Sequence, residues 1–359
     1  MPFGQPLQSW KPSDMRITRV EEDRLVPATT LVRLKDGLGD IAHRILDRRI
    51  LENDGAISGS LSENELARAF IHTIGQYGHR RGANFALADL ADNIEVLARE
   101  AAFRLDRFRT FVARGGFEVA YQPIVNLATG RIHHFEALVR FNRSKLDVAP
   151  YEFITFAEDI GLIHEFDLAM CRKVLDVLAS EHAPQCGVAV NLSAGSLETP
   201  SFASALEVLL EHYAEVRGRL AFEVTETAKI NDLTSVNQFI QGLRFAGHTV
   251  CLDDFGAGSA AFQYLRALQV DAVKIDGGYV KNAGATSEGA RFLKAMAGLL
   301  HELDIDTIAE MVEERVHLDV IRECHITYGQ GYLFGKPSTD FDHFQSEWIA
   351  YEEADRAHL

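Results

Sequence analysis

Residues 187–192, 220–225 and 249–254 read Gly-Val-Ala-Val-Asn-Leu, Leu-Ala-Phe-Glu-Val-Thr and Thr-Val-Cys-Leu-Asp-Asp. Each is a short apolar run that carries a polar residue at or near its end, and stretches of helical period lie between them. A strand buried on both faces of a parallel sheet reads this way. Working outward, the same texture starts at Gly115 and recurs at 117–127, 132–141, 272–275, 307–309 and 326–332. Eight such runs alternating with helices predict an α/β fold, a TIM-like (β/α)8 barrel. The first two runs lie too close for a crossover helix, so an antiparallel first strand is expected.

The polar residues of these runs carry the functional reading. Glu136 ends the core of one run, Asn191 follows Val188–Val190, and Glu223 follows Leu220–Phe222. Asp253 and Asp254 follow Val250–Leu252, Lys274 follows Ala272–Val273, Glu310 follows Thr307–Ala309, and Gln330 lies in the last run. The C-terminal ends of barrel strands open on one face, so these residues are expected to converge there. A single acid in such a place serves as a rim residue or a helix cap. Several carboxylates gathered beside an amide would repel one another unless cations neutralise them. Oxygen donors without Cys or His favour Mg²⁺ or Mn²⁺ over zinc. The adjacent Asp253–Asp254 pair suits two ions, and two ions ~4 Å apart stabilise the attacking and leaving oxygens of a phosphodiester displacement.

Upstream of the barrel the pattern is helical. Residues 1 to 35 lack a steady period. Leu38, Ile41, Ile45, Leu46 and Leu51 mark one helix, and Ser60 with Glu63 has capping-box spacing ahead of Leu66, Phe70, Ile71 and Ile74. Leu87, Leu90, Ile94, Leu97, Ala101, Leu105, Phe108 and Val112 then form a heptad-like stripe. The stripe suits either packing within its own domain or a dimerising, signal-relaying helix. The expected division is a mainly helical region at 1–85, an amphipathic connecting helix at 86–114, and the barrel at 115–359, closed by a terminal helix from Asp340.

Composition narrows the setting. The chain carries 36 basic and 52 acidic residues, a net charge of −16, which repels polyphosphate and argues against a nucleic-acid polymer as partner. Four scattered cysteines, Cys171, Cys186, Cys251 and Cys324, without a CxxC pair, suggest reduced thiols. The start of the chain shows no apolar leader, and no apolar run is long enough to span a bilayer, so a cytoplasmic protein is expected.

Several ordered motifs bear a resemblance. Phe135-Glu136-Ala137-Leu138-Val139-Arg140 carries the tripeptide for which EAL domains are named, and Tyr121-Gln122-Pro123-Ile124-Val125 precedes it. Val190-Asn191-Leu192-Ser193, Phe222-Glu223-Val224-Thr225-Glu226 and Asp253-Asp254-Phe255-Gly256-Ala257-Gly258 follow. Lys274-Ile275-Asp276, Ala309-Glu310-Met311-Val312-Glu313 and Gln330-Gly331-Tyr332-Leu333-Phe334-Gly335-Lys336-Pro337 complete the order. From about residue 112 to 340 the chain resembles the EAL family of cyclic di-GMP phosphodiesterases.

The resemblance implies hydrolysis of cyclic di-GMP to linear pGpG by a metal-bridged hydroxide, with Mg²⁺ or Mn²⁺, two ions, as cofactors. It implies Glu136, Asn191, Glu223, Asp253 and Glu310 as ligands of the first ion, and Asp253 with Asp254 for the second. Lys274 would orient or help deprotonate the water, Glu226 would steady the loop after Asp254, and Glu313 and Gln330 would support the site. Arg140 would meet a phosphate, where a guanidinium fits two oxygens, and Gln122 a guanine edge. A homodimer, and a protein partner through the N-terminal helices that regulate the barrel, also follow from family habit and the stripe.

The chain departs from the family in three places. Ser259-Ala260-Ala261 stands where a Tyr and two serines are common, Gly277-Gly278 replaces an Arg-Ser pair, and Met311 replaces a glycine. These leave every implied metal ligand in place but predict a slow enzyme. The alternatives are a catalytically weak or inactive cyclic di-GMP receptor that signals to a protein partner, and an interaction module on an inert barrel.

Overall fold

In a computed structural model of the chain, the described residues are 63–81, 87–141, 150–225, 230–257 and 261–344. The expected helix at 38–51, Ser60, Glu226 and the terminal helix beyond Phe344 lie outside them. The chain divides into two compact units, residues 1–110 and 111–359.

In the first unit, helix α1 (Glu63–Arg81) runs against α2 (Leu87–Ala113). Leu66, Phe70 and Ile74 of α1 are buried, as are Leu97, Ala101, Leu105 and Phe108 of the α2 stripe. Arg109 pairs with Glu65 at 2.8 Å and Arg104 donates to Gln76 at 3.1 Å. Residue numbers rise on one helix as they fall on the other, so the two are antiparallel. Part of the stripe therefore packs within its own chain.

The second unit is a closed barrel, β1-β2-β3-β4-β5-β6-β7-β8. Its strands are β1 (Glu118–Asn126), β2 (Ile132–Arg140), β3 (Gly187–Leu192), β4 (Leu220–Thr225), β5 (Val250–Phe255), β6 (Ala272–Ile275), β7 (Asp306–Ala309) and β8 (Tyr328–Gln330). β1 is antiparallel to both β2 and β8, and the remaining pairs are parallel. The reversal follows from the link: only Leu127 to Arg131 join β1 to β2, with Gly130 at φ 65° and the Asn126 carboxamide accepting the Ala128 and Thr129 N–H groups. Such a turn can join antiparallel strands only.

Helices cover the outside. They are α3 (Pro150–Ile160), α4 (Ile163–Leu178), α5 (Ala194–Leu197), α6 (Pro200–His212), α7 (Leu233–Phe245), α8 (Ala261–Ala267), α9 (Gly277–Ala285), α10 (Ser287–Glu302) and α11 (Arg315–Glu323). Among the described residues no helix is long and apolar enough to cross a membrane.

Inside the barrel, Ile124, Cys251, Ala272 and Ile308 form one buried apolar layer with Tyr328 against it. Strand side chains alternate, so the residue two places on returns to the same interior. Two places beyond Cys251, Ala272 and Ile308 stand Asp253, Lys274 and Glu310. On the reversed β1 the step runs backwards, from Ile124 to Gln122. The apolar plug thus floors a second layer that is wholly polar.

Candidate metal centre

Lys274 is the hub of that layer. Its side chain is 1% exposed, and Nζ lies 3.0 Å from Glu223 Oε2, 3.0 Å from Glu310 Oε1, 3.1 Å from Asp253 Oδ1 and 3.3 Å from Glu136 Oε2. Four strands deliver those acids, because register sets Glu136 beside Ala189, Asn191 beside Glu223, and Thr225 beside Asp253. Asn191 Nδ2 donates to Glu136 Oε1 at 2.9 Å, and Gln330 Nε2 donates to Glu136 Oε2 at 2.6 Å. Gln122 accepts a longer bond from Gln330 and donates to the Gly335 carbonyl, both at 3.3 Å. Glu136, Asn191, Glu223, Asp253, Lys274, Glu310, Gln330 and Gln122 are therefore brought together.

Asp254 reaches the same place by a different device. Alternation should turn the side chain after Asp253 away from the interior. Between Leu252 and Phe255, however, β5 spends three residue steps while β6 spends two, from Val273 to Ile275. The extra residue is a bulge, which re-aims a side chain. Asp254 sits at φ 57°, and its N–H donates to Asp253 Oδ1 at 2.9 Å. As a result Asp253, Asp254 and Glu310 offer oxygens all within 4.8 Å of one another, as do Glu136, Glu223 and Asp253.

The electrostatics are strained by excess negative charge. Burial lowers the Lys274 pKa, but Asp253, Glu136, Glu223 and Glu310 outweigh it and hold the ammonium well above its ordinary value. Burial opposes ionisation of Glu136, yet Lys274 and the Gln330 and Asn191 bonds keep that carboxyl below its usual range. Glu223, fully buried and facing Glu136 and Asp253, is pushed well above it despite Lys274. Burial together with Asp253 lifts Glu310 to about 7 and Asp254 to about 6. A single lysine does not balance the acids around it.

The donor set fits divalent cations on an independent observation. Glu223 Oε1 is buried and finds no hydrogen-bond partner among the described residues. An orphaned carboxylate oxygen at the centre of such a cluster is costly unless something coordinates it. All donors are carboxylate or amide oxygens, the choice of Mg²⁺ and Mn²⁺ over softer ions.

Two other expected residues, Arg140 and Glu313, bond outside this knot. Arg140 ends β2 exposed, and its Nη1 donates to the Val139 carbonyl at 2.9 Å. Glu313 is exposed and pairs with Lys281 at 3.3 Å. Glu226 is outside the described residues.

Several contributors carry no local sequence signal. Asp167 of α4 is 4% exposed and accepts from the Ser193 N–H at 2.8 Å and the Ser196 hydroxyl at 2.6 Å, pinning the chain just past Asn191. Two departures from the family pattern also prove to be one feature. A Cβ at Gly277 would lie 2.4–2.5 Å from Met311 Cβ, Cγ and Sδ. Met311, held at φ 53°, fills the space that any side chain at 277 would need.

A family model described as EAL domain matches residues 105–337. The chain belongs to the EAL family. Among EAL relatives, the probable cyclic di-GMP phosphodiesterase PdeG of Escherichia coli K12 is 31% identical over 264 residues, 69% of this chain and 52% of that protein. The EAL domain of FimX from Pseudomonas aeruginosa, solved bound to c-di-GMP, is 28% identical with a TM-score of 0.60, covering 66% of this chain and 96% of that one. BlrP1 of Klebsiella pneumoniae, solved with manganese and cy-diGMP, is 27% identical with a TM-score of 0.54, covering 62% of this chain and 56% of that one. This EAL chain spans about half the length of PdeG and 28% of the uncharacterized y4lL of Sinorhizobium fredii.

Proposed function

We propose that the barrel mouth binds two Mg²⁺ or Mn²⁺ ions and hydrolyses cyclic di-GMP to linear pGpG. The observation that carries this reading is charge. Among the described residues, Glu136, Glu223, Asp253, Asp254 and Glu310 carry −5 when all are ionised, Lys274 returns +1, and the remaining −4 matches in magnitude the charge of two divalent cations. Support comes from the relatives named as cyclic di-GMP phosphodiesterases and from the manganese complex of BlrP1.

Glu136, Asn191, Glu223, Asp253 and Glu310 would hold one ion, and Asp253 with Asp254 the other, joined by Glu310 on its proximity. Bound there, the ions supply charge neutralisation and Lewis acidity for phosphodiester cleavage. The chain's own groups do the positioning. Lys274, gripped by four carboxylates, is a fixed positive charge that orients the acids and any water among them. Gln330 and Asn191 hold the Glu136 carboxylate by both oxygens. Gln122 and Arg140 are assigned to the substrate, at a guanine edge and a phosphate. Glu226 and Glu313 are assigned to support the loops.

Residues 1–85 are read as a regulatory region and 86–114 as its connection to the barrel at 115–359, in a cytoplasmic homodimer. The altered stretch after Asp254 favours slow turnover, and in its extreme form a receptor. The test is incubation of purified protein with Mn²⁺ and cyclic di-GMP, with products separated by chromatography. Accumulation of pGpG is expected. Full recovery of intact dinucleotide, although it binds, would establish the receptor instead.

A further inference from the structure

The end of β6 places α9 against the loop that leaves β5. Asp276 follows β6, its N–H donates to the Phe255 carbonyl at 3.3 Å, and its Oδ1 accepts the Gly278 N–H at 2.9 Å to open α9. The first turn of α9 therefore lies over residues 255–257. From it, the Tyr279 hydroxyl donates to the Gly256 carbonyl at 3.0 Å. The ring itself is so close that a Cβ on Gly256, which has φ +95°, would lie 2.5 Å from Tyr279 Cε2. Only glycine permits both that backbone angle and that approach. Behind Tyr279, Phe292 of α10 stacks at 5.5 Å with the ring planes 12° apart.

The segment so clasped is the turn that aims Asp254. Asp254 is left-handed at φ 57°, and its carbonyl accepts the Ala257 N–H at 3.0 Å. A left-handed residue other than glycine persists only when its surroundings enforce it.

We propose that Tyr279 is a positioning residue for the second cation: its hydroxyl and ring hold the Asp254–Ala257 turn so that the Asp254 carboxylate stands ready beside Asp253 and Glu310. The inference rests on the two-cation reading above. Without the clasp the arriving ion must itself order the turn, and that ordering weakens its binding. The ion among Glu136, Asn191 and Glu223 has rigid strands for its ligands and is spared.

The test is calorimetric titration of the full chain with MnCl2, without dinucleotide. Asp254→Asn identifies which binding phase belongs to the second ion. Tyr279→Phe keeps the stack on Phe292 and is expected to raise the dissociation constant of that phase about fivefold, a lost hydrogen bond of about 1 kcal/mol. The other phase should stay within about twofold. Gly256→Ala, which pushes the ring off from the other side, should weaken the same phase. Two phases that are unchanged in both variants, or weakened equally, overturn the positioning role alone. Wild-type protein that takes up fewer than two ions overturns the two-cation reading and this inference with it.

Discussion

Replacing Lys274 by methionine tests the electrostatic core of the site. The side chain keeps its length and loses its charge, at a position 1% exposed and within 3.3 Å of four carboxylates. Two carboxylates ~4 Å apart repel by roughly 4 kcal/mol at an effective dielectric constant of about 20. Without the ammonium, the cation-free protein must protonate part of the cluster or come apart. Removing one partner from a buried ionic group costs roughly 3–5 kcal/mol, a fall in melting temperature of roughly 6–20 °C for a domain of this size.

The pH dependence has a defined sign. Lys274 holds down the already raised Glu223, Glu310 and Asp254, so without it these acids move further up and the folded chain binds more protons than the unfolded one. Stability then falls as pH rises, and the deficit should be larger at pH 8 than at pH 5. The assay is thermal unfolding by circular dichroism in chelator at both pH values, repeated with Mn²⁺. The added cation should narrow the gap by restoring positive charge. A variant that melts within about 2 °C of wild type at pH 8 in chelator would refute the account of Lys274 as the counter-ion of this cluster.

Glu136→Ala removes a carboxylate bonded to Asn191, Gln330 and Lys274; turnover of cyclic di-GMP should fall at least ~100-fold, and unchanged turnover would show the site is misplaced. Gly277→Ala drives a methyl into Met311 and should cost roughly 1–3 kcal/mol. Adding Met311→Gly should return most of it, and strict additivity of the two changes in urea unfolding would count against their contact. Burial lifts the Asp167 carboxyl from 3.8 to about 6, although Ser196 and Ser193 bonds oppose the shift. Folding therefore favours its protonated form, and this contribution, roughly 3 kcal/mol, is lost as pH rises from about 4 to 6. Asp167→Asn should gain stability relative to wild type across that window and hold a constant difference above it. A difference that does not vary with pH would exclude the buried carboxyl as its source.

Much of the site is legible in the sequence. Convergence of Glu136, Asn191, Glu223, Asp253, Lys274 and Glu310 follows from strand order alone, since barrel strands open at a common face. Glu313 shows the limit of such reasoning. It stands only three residues beyond Glu310, and its carboxylate pairs with Lys281 of α9, a contact that strand order does not record. The heptad-like stripe likewise could not name its partner, because a helix face records that something covers it and not what. In the folded chain α1 is bound across part of it through Arg104 and Arg109.

By itself the sequence determined the alternation of strand and helix, the antiparallel start forced by a short link, and the gathering of polar residues at the ends of the strands. These are local rules of period and connection, and they need no knowledge of distant neighbours. Only the tertiary structure decided that Asp254 turns inward through a bulge, that Glu223 keeps one oxygen unpartnered among the described residues, that Met311 takes the space of Gly277, and that Tyr279 grips Gly256. Each depends on atoms far apart in the chain competing for one small volume, and no periodicity records the outcome of that competition.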